Sequence, residues 1–307
     1  MAKSERYLRA QQLCREFPEA NTRTLARKLA KEFKCTIEQA RSSLRYVRGQ
    51  HGKPQRNFAT VPRSAGKAGT KPKLPPSKSE TWEPFKLDAG RTLSLSDIHI
   101  PYHEPTAVEA AITWARRRKP DTVLLNGDTL DFYSISRWQK DPRKRDFKAE
   151  LEAGVEFLQW LRSKFPDARI VFKIGNHEDR WDHWLWNHAP EICDLPQIQL
   201  DAMLQFDNLG IELVGDGRPV MAGKLPVFHG HELPKGMTSP VNMARGAFLR
   251  MLDMVLVGHG HRSSSHTEPN WQHHEVTTWS QGCLCTLHPE YARINKWNHG
   301  FAFVDHD

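Results

Sequence analysis

Five short stretches of this 307-residue chain place metal-type ligands where an apolar run ends. Leu93-Ser94-Leu95-Ser96 runs into Asp97-Ile98-His99. Val123-Leu124-Leu125 runs into Asn126-Gly127-Asp128, with Asp131 three residues further on. Ile170-Val171-Phe172-Lys173-Ile174 ends in Gly175-Asn176-His177-Glu178. Val227-Phe228 meets His229-Gly230-His231, and Met254-Val255-Leu256-Val257 meets Gly258-His259-Gly260-His261. Carboxylates, imidazoles and amide oxygens are the donors that hard and borderline divalent cations take. A phosphate ester is anionic and repels an attacking hydroxide. Two cations about 3.5–4 Å apart answer this by holding the hydroxide between them and clamping the phosphoryl oxygens. Such a pair needs one carboxylate placed to bridge and further ligands from separate loops. Polar strand ends satisfied by ordinary hydrogen bonds are the bland reading, and the recurrence of the pattern at five strand ends argues against it. In Gly258-His259-Gly260-His261 the two imidazoles fall on one side of an extended segment, and the glycines permit tight turning beside an ion.

The ordered set Asp-x-His, Gly-Asp-x-x-Asp, Gly-Asn-His-Glu, His and Gly-His-x-His resembles the calcineurin-like metallophosphoesterases, over roughly residues 90–307. The resemblance implies an α/β fold, a sandwich of two mixed β-sheets flanked by helices, with two divalent metal ions at one edge. Mn²⁺ is the favoured ion, with Fe, Zn, Ni and Co as the others the family implies. Carried over motif by motif, Asp97, His99 and His261 bind the first metal, Asp128 bridges, and Asn176, His229 and His259 complete the second. His177 matches the family's catalytic histidine and Asp131 the carboxylate that orients it. An N-cap on a following helix is the alternative for Asp131. His231 reads as a residue behind the ligands rather than one of them. One departure bears on substrate: Ser/Thr protein phosphatases follow Gly-Asp-x-x-Asp with an Arg-Gly pair whose arginine binds the substrate phosphate, and here Phe132-Tyr133 stand instead.

Elements must hold these loops. Helical spacing predicts helices over 104–118 and 147–165, between apolar runs that read as strands. Ile211–Val214, Val227–His229, Met254–Gly258, Glu275–Ser280 and Phe301–Val304 read as further strands. Helices alternating with strands first, and consecutive strands later, predict a mixed α/β body over 87–307. Cys283-x-Cys285 reads as part of a strand. The aromatic and basic insert 132–145 and the cluster Trp181, Trp184, Trp186 follow ligand loops. They read either as a rim able to stack bases or as ordinary packing.

Residues 1–50 read as a small all-α, helix-turn-helix-like module. The first helix, over 6–17, carries Leu8, Leu13, Cys14 and Phe17 on one stripe. Asn21 or Thr22 caps the second, and Thr36 to Gln39 forms a capping box for the third, with Ile37, Ala40, Leu44 and Val47 apolar. Arg41, Arg45 and Arg48 lie off that stripe and are the candidate nucleic-acid contacts. A solvated basic face that docks a protein partner is the other reading. Residues 51–86 read as a basic, Pro-rich linker. Residues 1–79 hold 19 Lys/Arg against 5 Asp/Glu, while residues 80–307 hold 25 against 31. So strong a split points to a nucleic-acid-facing arm on an acidic body.

Five widely spaced cysteines fit reduced thiols, and no apolar run is long enough for a membrane span or a signal core. A cytoplasmic protein without membrane partners is expected. The functional expectation is a metal-dependent phosphodiesterase or nuclease acting on nucleic acid, with DNA favoured. The chain resembles phage- and prophage-type proteins that join a helix-turn-helix-like segment to this catalytic body. The alternative is a phosphomonoesterase of proteins or small molecules whose N-terminal module docks a partner. A DNA-binding regulator with a degenerate enzyme body is weakened by the full set of seven ligand types.

Overall fold

The computed structural model describes residues 5–49, 74–79, 81–139, 141–215, 217–234 and 241–307. The chain divides into two compact units, Met1–Ser79 and Glu80–Asp307. Residues 51–73, the greater part of the expected linker, lie outside the described residues.

The first unit contains helices α1 (Glu5–Glu16), α2 (Thr22–Glu32) and α3 (Ile37–Val47). The Asn21 side chain accepts from the Arg23 N–H at the start of α2. Thr36 and Gln39 close a reciprocal capping box on α3. Both devices satisfy N–H groups that a first helical turn leaves without partners. Leu13, Cys14, Leu25, Leu29, Leu44 and Val47 close a small core. Three residues assigned to the apolar stripes stay 43–51% exposed, namely Leu8, Phe17 and Ile37. Each stripe is wider than the face its two short neighbours cover.

The second unit is built on two mixed sheets. β1 (Phe85–Lys86), β2 (Gly90–Leu95), α4 (Pro105–Arg116), β3 (Thr122–Asn126), α5 (Phe147–Lys164), β4 (Arg169–Lys173) and α6 (Asp179–His188) come first. Two single-turn helices, α7 (Leu200–Met203) and α8 (Phe206–Leu209), lead into β5 (Ile211–Val214). β6 (Val220–Ala222), β7 (Leu225–Phe228), α9 (Met243–Met251), β8 (Val255–Val257), β9 (Ser264–Pro269), β10 (Glu275–Ser280) and β11 (Ala302–His306) complete the chain. One sheet has the order β11-β2-β3-β4-β5 and the other β1-β6-β7-β8-β10-β9. In the first, β2 to β5 run parallel and β11 joins antiparallel. In the second, β7, β8 and β10 run parallel.

Alternation along each strand sorts side chains into layers. Val123 and Leu125 of β3, with Ile170 and Phe172 of β4, face the core shared with α4, α5 and α6. Leu124 and Val171, one residue out of step, pack with Val220, Val227 and Leu256 between the two sheets. On the far side Val255 and Val257 pack with Ala247 of α9. The result is a helix–sheet–sheet–helix sandwich, as the family resemblance implied; periodicity alone gave the α/β class.

Periodicity missed β1, β6, β9 and α9. β1 and β6 have two and three residues, too few to show a period. β9 is Ser-Ser-His-Thr-Glu-Pro, an exposed edge strand with no apolar face. β1 also pairs with β6, so Phe85 and Lys86 belong to the sheet and not to a linker ending at residue 86. Cys283 and Cys285 lie outside any strand, each held only by an isolated bridge, to His299 and His103. Among the described residues no helix is long and apolar enough to cross a membrane.

Candidate metal centre

The loops that leave β2, β3, β4, β7 and β8 converge. Ligand atoms of Asp97, His99, Asp128 and His261 lie within 4.8 Å of one another, and so do those of Asp128, His229 and His259. Asp128 is common to both groups. Asn176 Oδ1 stands 3.2 Å from His229 Nε2, which attaches it to the second. The seven residues expected as ligands therefore meet in two clusters that share one carboxylate. Asp97, Asp128 and His229 are at most 1% exposed.

The hydrogen-bond pattern fits a bound cation. His229 Nδ1 lies 2.8 Å from the Asn126 carbonyl, which fixes its proton there. The Nε2 lone pair is then aimed at oxygens, Asp128 Oδ2 and Asn176 Oδ1, each at 3.2 Å. His99 repeats the arrangement. Its Nδ1 is 2.9 Å from Asp131 Oδ1 and its Nε2 is 3.3 Å from His261 Nε2. His261 Nε2 in turn is 3.0 Å from Asp97 Oδ1. Lone pairs facing lone pairs repel unless a proton or a metal ion lies between them. Burial by itself would lower the His229 pKa, but Asp128, Asp97 and Glu232 outweigh it and raise it to about 10. The clusters thus demand positive charge, which a divalent ion supplies more fully than a proton.

The backbone is strained where the ligands sit. Asp97, His99, Asp128, His259 and His261 all have φ between 52° and 61°. Left-handed backbone at residues other than glycine costs of order 1–3 kcal/mol each when the surroundings enforce it, and it gathers at functional sites. Two glycines allow the loops to close. A Cβ on Gly175 would stand 2.3 Å from Asp128 Oδ1, and one on Gly127, at φ 80°, would stand 2.5 Å from the His229 ring.

Two carboxylates, Glu178 buried and Glu232 part-buried, brace this geometry. Glu178 accepts from the N–H groups of Asp128, Leu130 and Gly175 at 2.8–3.0 Å, tying the β3 loop to the β4 loop. Burial, then the Asp128 charge, raises its pKa. Glu232 accepts from the N–H groups of His229 and Gly230 and pairs with buried Lys173 at 2.9 Å. The sequence motif includes Glu178 but does not say what it holds. We predict that Glu178→Gln costs roughly 1–3 kcal/mol, because its NH₂ meets a backbone donor that loses its acceptor. Calorimetry should show a lowered Tm and elemental analysis a lowered metal content. Wild-type values for both would show that Glu178 is dispensable to the loops.

His177 stands beside the shared carboxylate. Its Nδ1 is 2.8 Å from the Asp131 carbonyl and 3.3 Å from Asp131 Oδ1. Asp131 is therefore no N-cap; its one carboxylate oxygen serves both His177 and His99. Burial would raise the Asp131 pKa, but the two histidines hold it far below the usual carboxylate range. His177 Nε2 accepts from Arg180 at 2.9 Å, and Arg180 also donates to the Asp131 carbonyl at 2.8 Å. His231 lies outside both clusters, 3.2 Å from Asp179 and from Glu232.

Sequence reading passed over several neighbours of the site. Arg180 lies two residues past Gly-Asn-His-Glu, and only the turn into α6 brings it back over His177. Trp297 packs on His261 with ring centroids 4.0 Å apart, and Tyr291 packs edge-on to Trp297. Cys285 Sγ is 3.8 Å from His261 Nδ1. None carries a motif: Arg180 lies just past one, and Trp297, Tyr291 and Cys285 arrive from the distant segment before β11. The tryptophan cluster divides: Trp181 is buried and stacks between Phe147 and Trp184, whereas Trp186 is 59% exposed. Phe132 at the start of the aromatic insert is fully buried, not on a rim.

In the N-terminal unit, Arg41 pairs with Glu38 on the same helix. Arg48 is turned inward, donating to Thr22 Oγ1 and the Ala20 carbonyl at 2.8 and 2.7 Å. Arg48 thus clamps the turn before α2, a role distinct from the nucleic-acid contact expected of it. Arg45 is partly exposed on α3.

Residues 90–275 match the model of the calcineurin-like phosphoesterases, and the chain belongs to that family of metal-dependent hydrolases. Two phage proteins are similar to it: the Gene 54 proteins of Mycobacterium phages L5 and D29, each 27% identical over 71% of this chain and 89% of their own length. Among solved structures, a metallophosphoesterase from Sphaerobacter thermophilus is 17% identical over 64% of this chain and 77% of its own, with a TM-score of 0.33. A dimetal phosphatase from Danio rerio is 10% identical over 70% and 92%, with a TM-score of 0.35.

Proposed function

We propose that this chain is a di-metal phosphodiesterase acting on nucleic acid, DNA before RNA, with Mn²⁺ as the favoured ion. The observation that carries this reading is Asp128, one buried carboxylate shared by two ligand clusters. Asp97, His99, Asp128 and His261 would hold one ion, and Asp128, Asn176, His229 and His259 the other. When bound, the ions supply a nucleophile at neutral pH and the charge that grips a phosphoryl group. His177, oriented at Nδ1 by Asp131, stabilises the developing charge or, once protonated at Nε2 in place of its contact with Arg180, gives that proton to the leaving oxygen. Arg180, beside His177, takes the place of the phosphate-binding arginine that Phe132-Tyr133 displace.

Nucleic acid is favoured over a small phosphomonoester by charge. Residues 1–79 carry 19 Lys/Arg against 5 Asp/Glu, while the catalytic unit is net acidic. An acidic body repels DNA outside its metal centre, so a basic arm has to deliver it. The test uses purified protein with Mn²⁺. Bis-p-nitrophenyl phosphate should be hydrolysed faster than p-nitrophenyl phosphate. Log DNA affinity should fall with log salt at about −0.9 per neutralised phosphate. Removing residues 1–79 should flatten that slope and spare diester hydrolysis. Preference for the monoester, with DNA affinity indifferent to salt, would replace this reading with a phosphatase whose N-terminal unit docks a protein.

A further inference from the structure

A cleft of about 870 Å³ opens beside the metal centre, lined by Asn176, His177 and Arg180 on one side and by Tyr133, Trp138 and Tyr291 on the other. Its aromatic wall comes from two loops far apart in sequence. The insert after β3 carries Tyr133 and Trp138, and its Tyr133 hydroxyl accepts from the Asp141 N–H at 2.7 Å. The loop before β11 carries Tyr291. An ion pair between Lys144 and Glu290 ties the two together. Trp138 and Tyr291 are each 67% exposed; Arg137 lies over the Trp138 ring at 5.1 Å from its centroid, and Tyr291 meets Trp297 edge-on.

The charges lining the cleft are mostly spent. Asp131 faces His99 and His177. Asp141 pairs with Arg143 at 2.7 Å, and Glu290 pairs with Lys144. Arg180 differs. Its described partners are a neutral carbonyl and an imidazole nitrogen, and among the described residues no carboxylate pairs with it. One uncompensated guanidinium next to the site of phosphoryl transfer calls for an anion, and a guanidinium binds phosphate bidentately. Exposed aromatic rings within the same cleft call for a flat partner. Stacking on an aromatic side chain is worth about 1–3 kcal/mol per base and tolerates any base. In a duplex both faces of each base are already covered by neighbours, so only an unpaired or extruded base can use such rings.

We propose that this cleft is a subsite for one unpaired nucleotide flanking the scissile phosphate, with Arg180 on the phosphate and Trp138 and Tyr291 on the base. The substrate strand is then single at the point of cleavage. The inference rests on the phosphodiesterase reading above and adds the class of nucleic acid.

Two diesters with the same leaving group separate the two ideas: thymidine 5′-(p-nitrophenyl phosphate) and methyl p-nitrophenyl phosphate. With Mn²⁺-loaded full-length protein, kcat/KM for the nucleoside ester should exceed that for the methyl ester by about 10- to 100-fold, the range one stacked base supplies. In Trp138→Ala combined with Tyr291→Ala that ratio should fall toward one. Arg180→Gln should lower kcat/KM for both esters and weaken inhibition by inorganic phosphate, at unchanged metal content. A wild-type ratio near one, or a ratio that the aromatic variants leave unmoved, overturns the subsite alone. Hydrolysis of p-nitrophenyl phosphate but of neither diester overturns the diesterase reading, and the subsite falls with it. Single- and double-stranded oligonucleotides give the matching comparison, and faster cutting of the duplex would contradict the proposal.

Discussion

Replacing Asp128 should abolish hydrolysis of every substrate by at least about 10³-fold, on the order of 4 kcal/mol of lost transition-state stabilisation. The reason is geometric. Asp128 Oδ2 lies 3.2 Å from His229 Nε2 and 3.9 Å from His99 Nε2, so a single carboxylate serves both clusters. Without it neither ion of a bound pair would keep its full set of donors, and their two charges would repel uncompensated. Asp128 also sits at φ 52°. Asparagine tolerates that backbone better than alanine, so Asp128→Asn separates lost bridging from lost folding. Elemental analysis should find fewer than two ions per chain in Asp128→Asn and calorimetry a folded protein. Two retained ions with undiminished turnover would remove the di-metal assignment.

His177→Ala should behave differently. Rate should fall by about 10²–10⁴-fold, the range for a positioned acid or base, while metal content stays at two. His177 Nε2 is separated from the shared carboxylate by 3.7 Å, and its ring is held by Asp131 and Arg180 rather than aimed into either four-residue cluster. If it protonates the leaving oxygen, the loss should grow as the leaving group becomes a worse one. A phenyl ester should then suffer more than a p-nitrophenyl ester. Loss of an ion from the variant, which elemental analysis would detect, would instead make His177 a ligand. Equal losses for both esters would place its action on the phosphoryl charge and not on the leaving oxygen.

The chemistry of the centre was legible in the sequence because it is local. Each ligand group is a short motif at the end of an apolar run, and parallel strands deliver such ends to one edge of a sheet. Residue type and order therefore carried the resemblance that implied all seven candidate ligands, His177 and Asp131, while the helix and strand pattern gave the α/β class that holds them. Strand alternation was not legible in β3 and β4, where Val123-Leu124-Leu125 and Ile170-Val171-Phe172 are continuous apolar runs that only the fold sorts onto two faces.

What only the tertiary structure decided lies in pairs distant in sequence. Glu178 is one letter in a motif until the fold sets it against the N–H groups of Asp128 and Leu130, 48 to 50 residues away. Asp131 reads as orienting one histidine, and the fold gives it two. Arg48 has the residue type and helix position of a phosphate contact, yet its guanidinium closes on Ala20 and Thr22 because that turn packs against the end of α3. Arg180, Trp138, Tyr291 and Trp297 carry no spacing signal, because the first turn of α6 and two loops bring them together. Sequence records what a side chain can do chemically and which local element carries it. Which groups it faces depends on how sheets and loops pack, and that is set by the sum of many weak contacts across the chain.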